Sequence, residues 1–204
     1  MSLRERNRVE TRTGIVRVAL ALFLSEGFDT VTVETICERA GVSRATFFNY
    51  FSQKEELLVE IGRQRLERFE RFVGAQEAWN QTPTIDALVE LFVEFARDNE
   101  EAGRMGRHVM RRALATPAVA VEMGELMQTL RDKVTAYLSR LPGRMPDAAV
   151  TAENVVAIYF WSTIEWTLAP QVPAGELVEK IERRLNGFFR PLRTARPAGR
   201  KASR

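Results

Sequence analysis

Apolar side chains recur at intervals of three and four residues through almost the whole of this 204-residue chain. The pattern first appears between Ile15 and Phe23, and Gly27 follows where a helix of that length would end. Such spacing puts the apolar groups on one face of a helix, whereas a half-buried strand requires strict alternation. Because no segment alternates for long enough to form a strand, the sequence predicts an all-α protein.

Turn-forming residues divide this pattern into about nine helices. Thr32 and Ser43 are the expected N-caps of a short second helix and a very short third helix. Ser52 and Glu55 have the spacing of a capping box, which would open a fourth helix that ends near residue 74. The remaining predicted helices span residues 84–98, 100–115, 118–141, 151–169 and 174–190.

The composition limits the classes of protein and of site that this chain can form. With 45% hydrophobic and 28% charged residues, it falls in the range of globular proteins. Its longest apolar run, residues 155–161, is far shorter than the roughly 20 residues of a membrane span, and its first residues lack the apolar stretch of a secretory signal. We therefore expect a cytoplasmic protein with no membrane partner. Cys37 and His108 are the sole cysteine and histidine, so the sequence predicts no metal site, no cofactor and no enzyme.

The formal net charge of +3 conceals an uneven distribution of charge along the chain. Residues 1–54 carry a net charge of +2 and residues 190–204 carry +6, whereas residues 55–189 carry −5. Basic ends and an acidic middle are compatible with a polyanionic partner at one end of the molecule. They are equally compatible with a solvated surface and a basic tail. We expect residues 193–204 to be disordered because they contain nothing that could pack.

The most informative segment is the pair of short predicted helices on either side of Gly41. A helix of about eight residues, a tight turn and a second short helix form the pattern of a helix-turn-helix. Glycine suits the turn because it adopts the left-handed conformation without a steric penalty. The second helix carries short polar side chains that could enter a major groove and hydrogen-bond to base edges. By spacing alone, the pattern is also that of two helices that simply pack together.

Four stretches in this part of the chain follow one another in a familiar order: ALALFLSEGFD at 19–29, TVTVETI at 30–36, AGVSRATFFNYF at 40–51 and KEEL at 54–57. In order, spacing and position, residues 10–61 resemble the DNA-binding domain of the TetR/AcrR family of transcriptional regulators. The resemblance implies a three-helix DNA-binding domain over residues 1–54. It also implies a larger helical domain for effector binding and dimerisation over residues 55–192.

The resemblance further implies which side chains meet DNA. Thr32 would contact a phosphate at a helix N-terminus, where backbone N–H groups favour an anion. Arg44 is the expected guanine contact, and Asn49 would contact a base or a phosphate. The implied DNA-binding residues are Thr32, Ser43, Arg44, Ala45, Thr46, Asn49, Tyr50 and Lys54. Phe48 departs from the family pattern, in which a tyrosine supplies a phosphate-binding hydroxyl.

Other residues of the N-terminal segment have two interpretations each. Phe47 and Phe51 are expected in the core rather than at the DNA. The arginines at positions 4, 6, 8 and 12 form either an arm that binds a phosphate or the minor groove, or a solvated and frayed end.

Two C-terminal segments indicate a second copy of the chain as a partner. Residues 155–168 are apolar on nearly every side, and residues 177–189 carry one apolar stripe. Two such helices from each of two copies would form a four-helix interface, as the resemblance also implies. The predicted interface residues are Ile158, Leu177, Ile181, Leu185 and Phe188. The alternative is a monomeric bundle with an unusually buried eighth helix.

Aromatic, methionine and polar side chains of the larger domain could line a cavity for a small, partly apolar effector. The candidates are Phe92, Phe95, Met105, His108, Met127, Trp161 and Glu165, each of which could also be ordinary core or surface. The helix over residues 100–112 is unusually basic, so one of its side chains could pair with Glu165 or with an anionic ligand.

Together these features predict a homodimeric repressor of transcription, which binds a palindromic operator in double-stranded DNA and is released by the effector. A DNA-binding regulator controlled by a protein partner, with no small-molecule input, is the alternative. Residues alone do not separate a repressor from an activator; repression is the common mode of the family that the sequence resembles.

Overall fold

The computed structural model describes residues 2–142, 147–169 and 171–194, and within those residues it contains helices and no strand. The predicted all-α fold with about nine helices is therefore confirmed. The helices are α1 (Leu3–Glu26), α2 (Val33–Ala40), α3 (Arg44–Phe48), α4 (Val59–Ala78), α5 (Ile85–Glu101), α6 (Gly103–Ala115), α7 (Pro117–Ser139), α8 (Ala148–Leu168) and α9 (Glu176–Thr194), with a 3-10 helix at Lys54–Leu58. None of the described helices has the length and hydropathy that a bilayer crossing requires.

Local side-chain and backbone contacts fix the ends of α2 and α3. The Thr32 hydroxyl accepts a hydrogen bond from the Thr35 N–H at 3.1 Å, and the Ser43 hydroxyl accepts one from the Thr46 N–H at 3.0 Å. Each hydroxyl satisfies an N–H that the first turn of a helix leaves unpaired. Both predicted N-caps are confirmed.

The predicted start of the fourth helix is wrong in two respects: the N-cap is Gln53 and not Ser52, and the first turn is a 3-10 helix. The chain forms the 3-10 helix first, with Gln53 as an N-cap that makes no side-chain hydrogen bond. Ser52 donates its N–H, at 3.0 Å, and its hydroxyl to the Glu56 carboxylate, not to Glu55. Because the 3-10 helix has Gln53 and not Ser52 as its N-cap, Glu56 and not Glu55 is its third residue, and the Glu56 carboxylate reaches back to Ser52.

The chain divides into two compact units. The N-terminal unit comprises Met1–Arg65 and Glu101–Leu126, and the C-terminal unit comprises Leu66–Glu100 and Met127–Arg204. Helix α6 and the first part of α7 thus pack with the helix-turn-helix segment, although the sequence suggested one continuous domain over residues 55–192. Which unit carries effector binding and dimerisation stays a prediction.

Aromatic rings form much of the core of the N-terminal unit. The rings of Phe23 and Phe28 are 4.8 Å apart, and those of Phe47 and Phe51 are 5.6 Å apart. All four side chains are buried, as is Ile36 of α2. Phe47 therefore anchors α3 to the unit through its inner face, and the predicted core positions of Phe47 and Phe51 are confirmed.

The C-terminal unit buries one face of α8 and one face of α9. Leu177, Ile181 and Leu185 of α9 are completely buried within the chain itself, so they have no surface to offer to a second copy. This corrects their assignment to a dimer interface: the apolar stripe of α9 belongs to the core of its own chain. The other two predicted interface residues, Ile158 and Phe188, are half-buried against that core.

The opposite face of α8 remains exposed and, apart from the exposed Asn154, is apolar. Trp161 and Leu168 are about 60% exposed, at 59% and 60%, and Val150 is 53% exposed. Ala157 and Ile164 lie between them at the spacing of one helical face and are half-buried. We call this set (Val150, Ala157, Trp161, Ile164 and Leu168) the α8 stripe.

The end of α9 corrects the predicted boundary of the basic tail. Residues 193 and 194 still belong to the helix, and the Arg193 guanidinium donates to the Asp86 carboxylate and, at 2.8 Å, to the Asn186 side chain. Arg193 is therefore ordered, because it has a carboxylate and an amide oxygen to bind. The rest of the predicted tail, residues 195–204, lies outside the described residues.

Candidate nucleic-acid interface

The turn between α2 and α3 has the backbone geometry that a helix-turn-helix requires. Gly41 adopts φ +66° and ψ +33°, the left-handed conformation that a Cβ atom disfavours and that glycine adopts without that penalty. Its N–H and that of Val42 donate to carbonyl groups at the end of α2, the second to Cys37 at 3.0 Å. The chain therefore reverses within three residues, and Cys37 is buried beneath the turn, where burial raises the pKa of its thiol.

The outer face of α3 presents the side chains that the resemblance implies. Ser43, Arg44, Ala45 and Asn49 are exposed, whereas Thr46 and Tyr50 are half-buried. The Ser43 and Thr46 hydroxyl oxygens lie 2.8 Å apart and share a hydrogen bond. The buried Phe47 points the other way, so α3 packs through one face and leaves donors and acceptors on the other.

Arg44 is paired within the protein. Its guanidinium forms an ion pair with Glu34 of α2 and lies 5.9 Å from the centre of the Phe48 ring. Both charged side chains are more than half exposed. The pKa of Glu34 is lowered, first by a hydrogen bond from its own backbone N–H and then by the charge of Arg44. The predicted guanine contact would require Arg44 to leave Glu34, and that contact stays a prediction.

Lys54 lies at the start of the 3-10 helix and points into the N-terminal unit. Its ammonium donates to the carbonyl oxygens of Phe28 and Val31, each at 2.7 Å, and lies 4.2 Å from the centre of the Phe28 ring. Burial is the main cause that lowers the pKa of Lys54. Two of its three N–H donors thus bind the loop between α1 and α2. The predicted contact of Lys54 with DNA would use the third donor and stays a prediction.

The same loop is held from the other side by α6. His108 Nε2 lies 2.9 Å from Asp29 Oδ2, and Arg112 Nε lies 3.0 Å from Asp29 Oδ1. The hydrogen bond from His108 is the main cause that lowers the pKa of Asp29. We call these three residues the Asp29 cluster. It joins the loop that leads into α2 to helix α6.

Sequence reasoning missed the Asp29 cluster, although the unusual basicity of helix 100–112 was the available signal. That helix needed an acidic partner, and the sequence suggested Glu165. The carboxylate of Glu165 instead accepts a hydrogen bond from Arg184 of α9 at 2.9 Å and lies 3.7 Å from Lys180. Both partners of Glu165 come from the neighbouring helix of its own unit.

The seven predicted effector residues are divided between the two units. Met105 and His108 belong to the N-terminal unit, where His108 is occupied by Asp29. Within the C-terminal unit, Phe92 and Phe95 are completely buried, whereas Trp161 is exposed on the α8 stripe. Phe92 and Phe95 therefore do not line one cavity with Trp161.

The C-terminal unit contains an aromatic and polar cluster of Phe92, Phe95, Tyr159 and Asn99. The sequence analysis named the two phenylalanines but not Tyr159 or Asn99. The ring of Tyr159 lies 5.4 Å from that of Phe92 and 6.1 Å from that of Phe95. The Tyr159 hydroxyl accepts a hydrogen bond from the side-chain N–H of the buried Asn99 at 3.3 Å. This cluster combines a partly apolar wall with one polar pair. Among the described residues, no group of three histidine, cysteine or acidic side chains is arranged to hold a metal ion.

Comparison with known proteins agrees with this geometry. The model of the family described as bacterial regulatory proteins, tetR family, matches residues 15–61, which include the whole helix-turn-helix. The helix-turn-helix segment of this chain is a TetR-family DNA-binding domain. The protein is a DNA-binding transcriptional regulator, and the roles of the individual α3 side chains stay predictions.

Two relatives of this chain match it over very different lengths. The regulator TcmR of Streptomyces glaucescens is 46% identical over 55 residues, which cover 27% of this chain and 24% of TcmR. The regulator RutR of Escherichia coli strain K12 is 27% identical over 194 residues, covering 88% of this chain and 91% of RutR. The higher identity is therefore confined to a short segment.

Among solved structures, this chain is similar to Thermus thermophilus FadR, a TetR-family transcriptional repressor solved in complex with lauroyl-CoA. The TM-score is 0.65 at 24% identity, and the match covers 95% of this chain and 99% of FadR. At that identity the likeness shows the shared fold alone, and it extends that fold over both units of the chain.

Proposed function

We propose that this protein is a homodimeric repressor that binds a palindromic operator and is released by a small, partly apolar effector. The observation that carries the proposal is the outer face of α3, with an exposed arginine and exposed hydrogen-bonding groups on a helix that is anchored by a buried phenylalanine. We propose the cytoplasm as its location because a repressor acts where its operator is.

Each member of the predicted DNA-binding set has a proposed role. Arg44 donates two hydrogen bonds to a guanine, and Asn49 contacts a base or a phosphate. Thr32 and Ser43 bind phosphates while they cap α2 and α3, since a hydroxyl can donate its proton while it accepts from an N–H. Phosphate contacts set the register on the duplex, and base contacts give the sequence preference. Ala45, Thr46, Tyr50 and Lys54 complete the proposed interface.

The α8 stripe supports a homodimer. It is an apolar face of a long helix that the rest of its own unit leaves uncovered, and Trp161 at its centre is the kind of large aromatic side chain that dominates interface energies. Pairing of two stripes about a twofold axis gives an isologous interface. A palindromic operator requires the two α3 helices of the dimer to lie about 34–36 Å apart, one helical turn of DNA.

For the effector site we propose the cluster of Phe92, Phe95, Tyr159 and Asn99. Its aromatic rings would contact an apolar portion of a ligand, and the pair formed by Asn99 and Tyr159 offers a hydrogen-bonding group to a polar portion. FadR, which shares the fold, was solved with lauroyl-CoA bound. We therefore include acyl thioesters among the first compounds to be tested.

Release requires that the effector prefer the state that does not fit the operator. To shift the population from 99:1 to 1:99, that preference must reach about 5.5 kcal/mol. A ligand that binds both states equally well would leave the protein on its operator, however tightly it binds.

The test is titration of the protein into labelled DNA from the region beside its own gene, with unlabelled competitor present. We expect competitor-resistant binding that Arg44→Ala weakens at least tenfold, since one bidentate base contact contributes about 1–3 kcal/mol. Arg71→Ala is the matched control, because Arg71 is a similarly exposed arginine on α4. Binding that competitor abolishes, or equal losses in both variants, would contradict the proposal.

A compound panel then separates the two modes of control. A ligand at 100 times its dissociation constant raises the stability of the protein by about 2.7 kcal/mol, which a thermal-shift assay detects. A compound that both stabilises the protein and releases the operator supports the proposed repressor. A panel that contains none, with operator binding intact, favours control by a protein partner.

A further inference from the structure

The first part of α1 is exposed, whereas the later part of the helix buries one face. Residues 2–10 are all exposed, and Ser2 caps the helix in a complete capping box with Glu5. The Glu5 N–H donates to the Ser2 hydroxyl at 3.2 Å, and the Ser2 N–H donates to the Glu5 carboxylate at 2.6 Å. This segment, which we call the N-terminal arm (residues 2–11), is therefore a capped helix and not a frayed end.

One face of the arm is basic, and it is the face that is apolar further along α1. The buried side chains Ile15, Ala19 and Leu22 lie on the inner face of the helix. Counting back at 100° per residue, that face continues through Arg12 and Arg8 to Arg4. The stripe that packs against the unit thus becomes a row of arginines about 6 Å apart where the helix leaves the unit.

Arg12 shows which part of the unit this basic face adjoins. It donates to both oxygens of the buried Glu60 carboxylate, at 2.7 and 2.6 Å, and its guanidinium lies 5.0 Å from the centre of the Phe51 ring. Phe51 follows directly after Tyr50, at the end of the segment that contains α3. The face that carries Arg8 and Arg4 therefore continues from the side where the recognition segment ends.

Unlike Arg12, Arg8 and Arg4 have no ion-pair partner among the described residues. Within the described part of the chain, Glu5 binds the Ser2 N–H and forms no ion pair with either arginine, and Glu10 lies on the opposite face of the helix. Two exposed guanidinium groups on one rigid face are suited to a polyanion, because each can donate two parallel hydrogen bonds to a phosphate.

We propose that the N-terminal arm binds the phosphate backbone beside the half-site that α3 reads, through Arg4 and Arg8. The inference rests on the proposed operator binding and adds a second contact to it. A helix with side chains is about 10–12 Å wide, whereas the minor groove is about 6 Å wide, so the helical arm lies along phosphates and does not enter that groove.

The test compares two double variants that remove the same charge from opposite faces of α1. R4Q/R8Q changes the proposed phosphate contacts. R6Q/R17Q is the matched control, because Arg6 and Arg17 are exposed on the outer face of the helix and likewise have no ion pair among the described residues. Glutamine and arginine have similar helix propensities, so circular dichroism should show the same helix content in all three proteins.

The readout is the slope of log K against log salt concentration on the selected operator and on a random duplex. Each lost phosphate contact lowers the slope by about 0.9, so R4Q/R8Q should lower it by about two for each bound protomer, equally on both duplexes. R6Q/R17Q should leave most of the slope intact. Hydroxyl-radical footprinting should show that R4Q/R8Q loses protection only at the outer edges of the site.

Two results would overturn the inference. Equal slope losses in the two double variants would mean that bulk charge alone acts, and an unchanged slope in R4Q/R8Q would mean that the arm does not touch DNA. Failure of the proposed function is distinguishable, because the unaltered protein would then show no competitor-resistant binding in the first place.

Discussion

The two units of this chain are stabilised by different kinds of contact around their functional residues. Next to the helix-turn-helix, charged groups join successive segments: Lys54 and Asp29 hold the α1–α2 loop, and Arg12 holds Glu60. In the C-terminal unit, aromatic rings pack around Tyr159. Directional contacts define where a loop lies, whereas apolar burial contributes most of the free energy of folding.

This difference suits the proposed roles of the two units, DNA recognition in the N-terminal unit and effector binding in the C-terminal unit. A recognition helix must hold its side chains in one register with the base pairs, which favours contacts with a fixed geometry. A ligand-responsive core must tolerate alternative packing, and apolar contacts are non-directional. The comparison predicts that substitutions in the aromatic cluster of the C-terminal unit and at the charged contacts of the N-terminal unit act on stability, whereas substitutions on or next to the exposed face of α3 act on DNA affinity.

The largest expected effect comes from Phe92→Ala. Removing a completely buried phenylalanine leaves a cavity and should lower the free energy of unfolding by about 3–5 kcal/mol. All three tryptophans lie in the C-terminal unit, so urea unfolding followed by tryptophan fluorescence reports on it directly. Trp79→Ala is the control, because that side chain is 78% exposed and should change stability little. Equal losses in both variants would contradict the aromatic core.

The second prediction concerns Arg12→Met, which removes the partner of a buried carboxylate. Glu60 is 5% exposed and would keep a single cation, since Arg63 Nε lies 3.1 Å from it. We expect a loss of about 2 kcal/mol, less than for a fully buried pair because Arg12 is partly exposed. Hydrogen-exchange mass spectrometry should show faster exchange in N-terminal peptides alone. Uniform faster exchange over both units would contradict the expected local effect.

The third prediction uses the competition between Glu34 and DNA for Arg44. Glu34→Gln removes the ion pair and a negative charge, so operator affinity should rise by up to about fivefold, the range of an exposed ion pair. Glu38→Gln removes the same charge one turn further along α2 and should raise affinity less. An equal rise in both variants would show that only the overall charge matters.

The smallest effect is expected at Asp29, and it depends on pH. Because the folded protein lowers the pKa of Asp29, the carboxylate adds stability at pH values above its ordinary pKa of 3.8, and the contribution disappears as the pH falls through the lowered value. The difference in urea midpoint between the unaltered protein and Asp29→Asn should therefore be present at pH 6 and vanish at strongly acidic pH. A difference that persists there would show that shape, not charge, holds the loop. Asp132→Asn, at an exposed pair on α7, is the control.

Sequence reasoning succeeded where structure depends on near neighbours in the chain. Thr32, Ser43 and Gly41 were predictable because N-caps and left-handed turns involve residues at most five positions apart. The same reasoning failed at Ser52, where the 3-10 helix that the chain adopts moved the capping carboxylate by one residue. Local rules therefore predict a local motif well only when the type of helix is also known.

Sequence reasoning also failed where the apolar faces of two helices look alike in sequence. The apolar stripe of α9 predicted an interface at Leu177, Ile181 and Leu185, yet these residues form the core of their own chain. Periodicity shows that a face is covered and does not show what covers it. The exposed apolar face proved to be on α8, around Trp161, and only the packed structure separates the two.

By itself, then, the sequence determined that the chain is all-α, where most of its helices begin and end, and which short segment forms a helix-turn-helix, because those properties follow from contacts within a few residues. The tertiary structure decided which basic helix holds Asp29, which apolar face stays uncovered, and that His108 serves a loop and not the proposed effector cluster. Those pairings join residues up to 79 positions apart, and only the path of the whole chain can select one partner among many of the same chemistry.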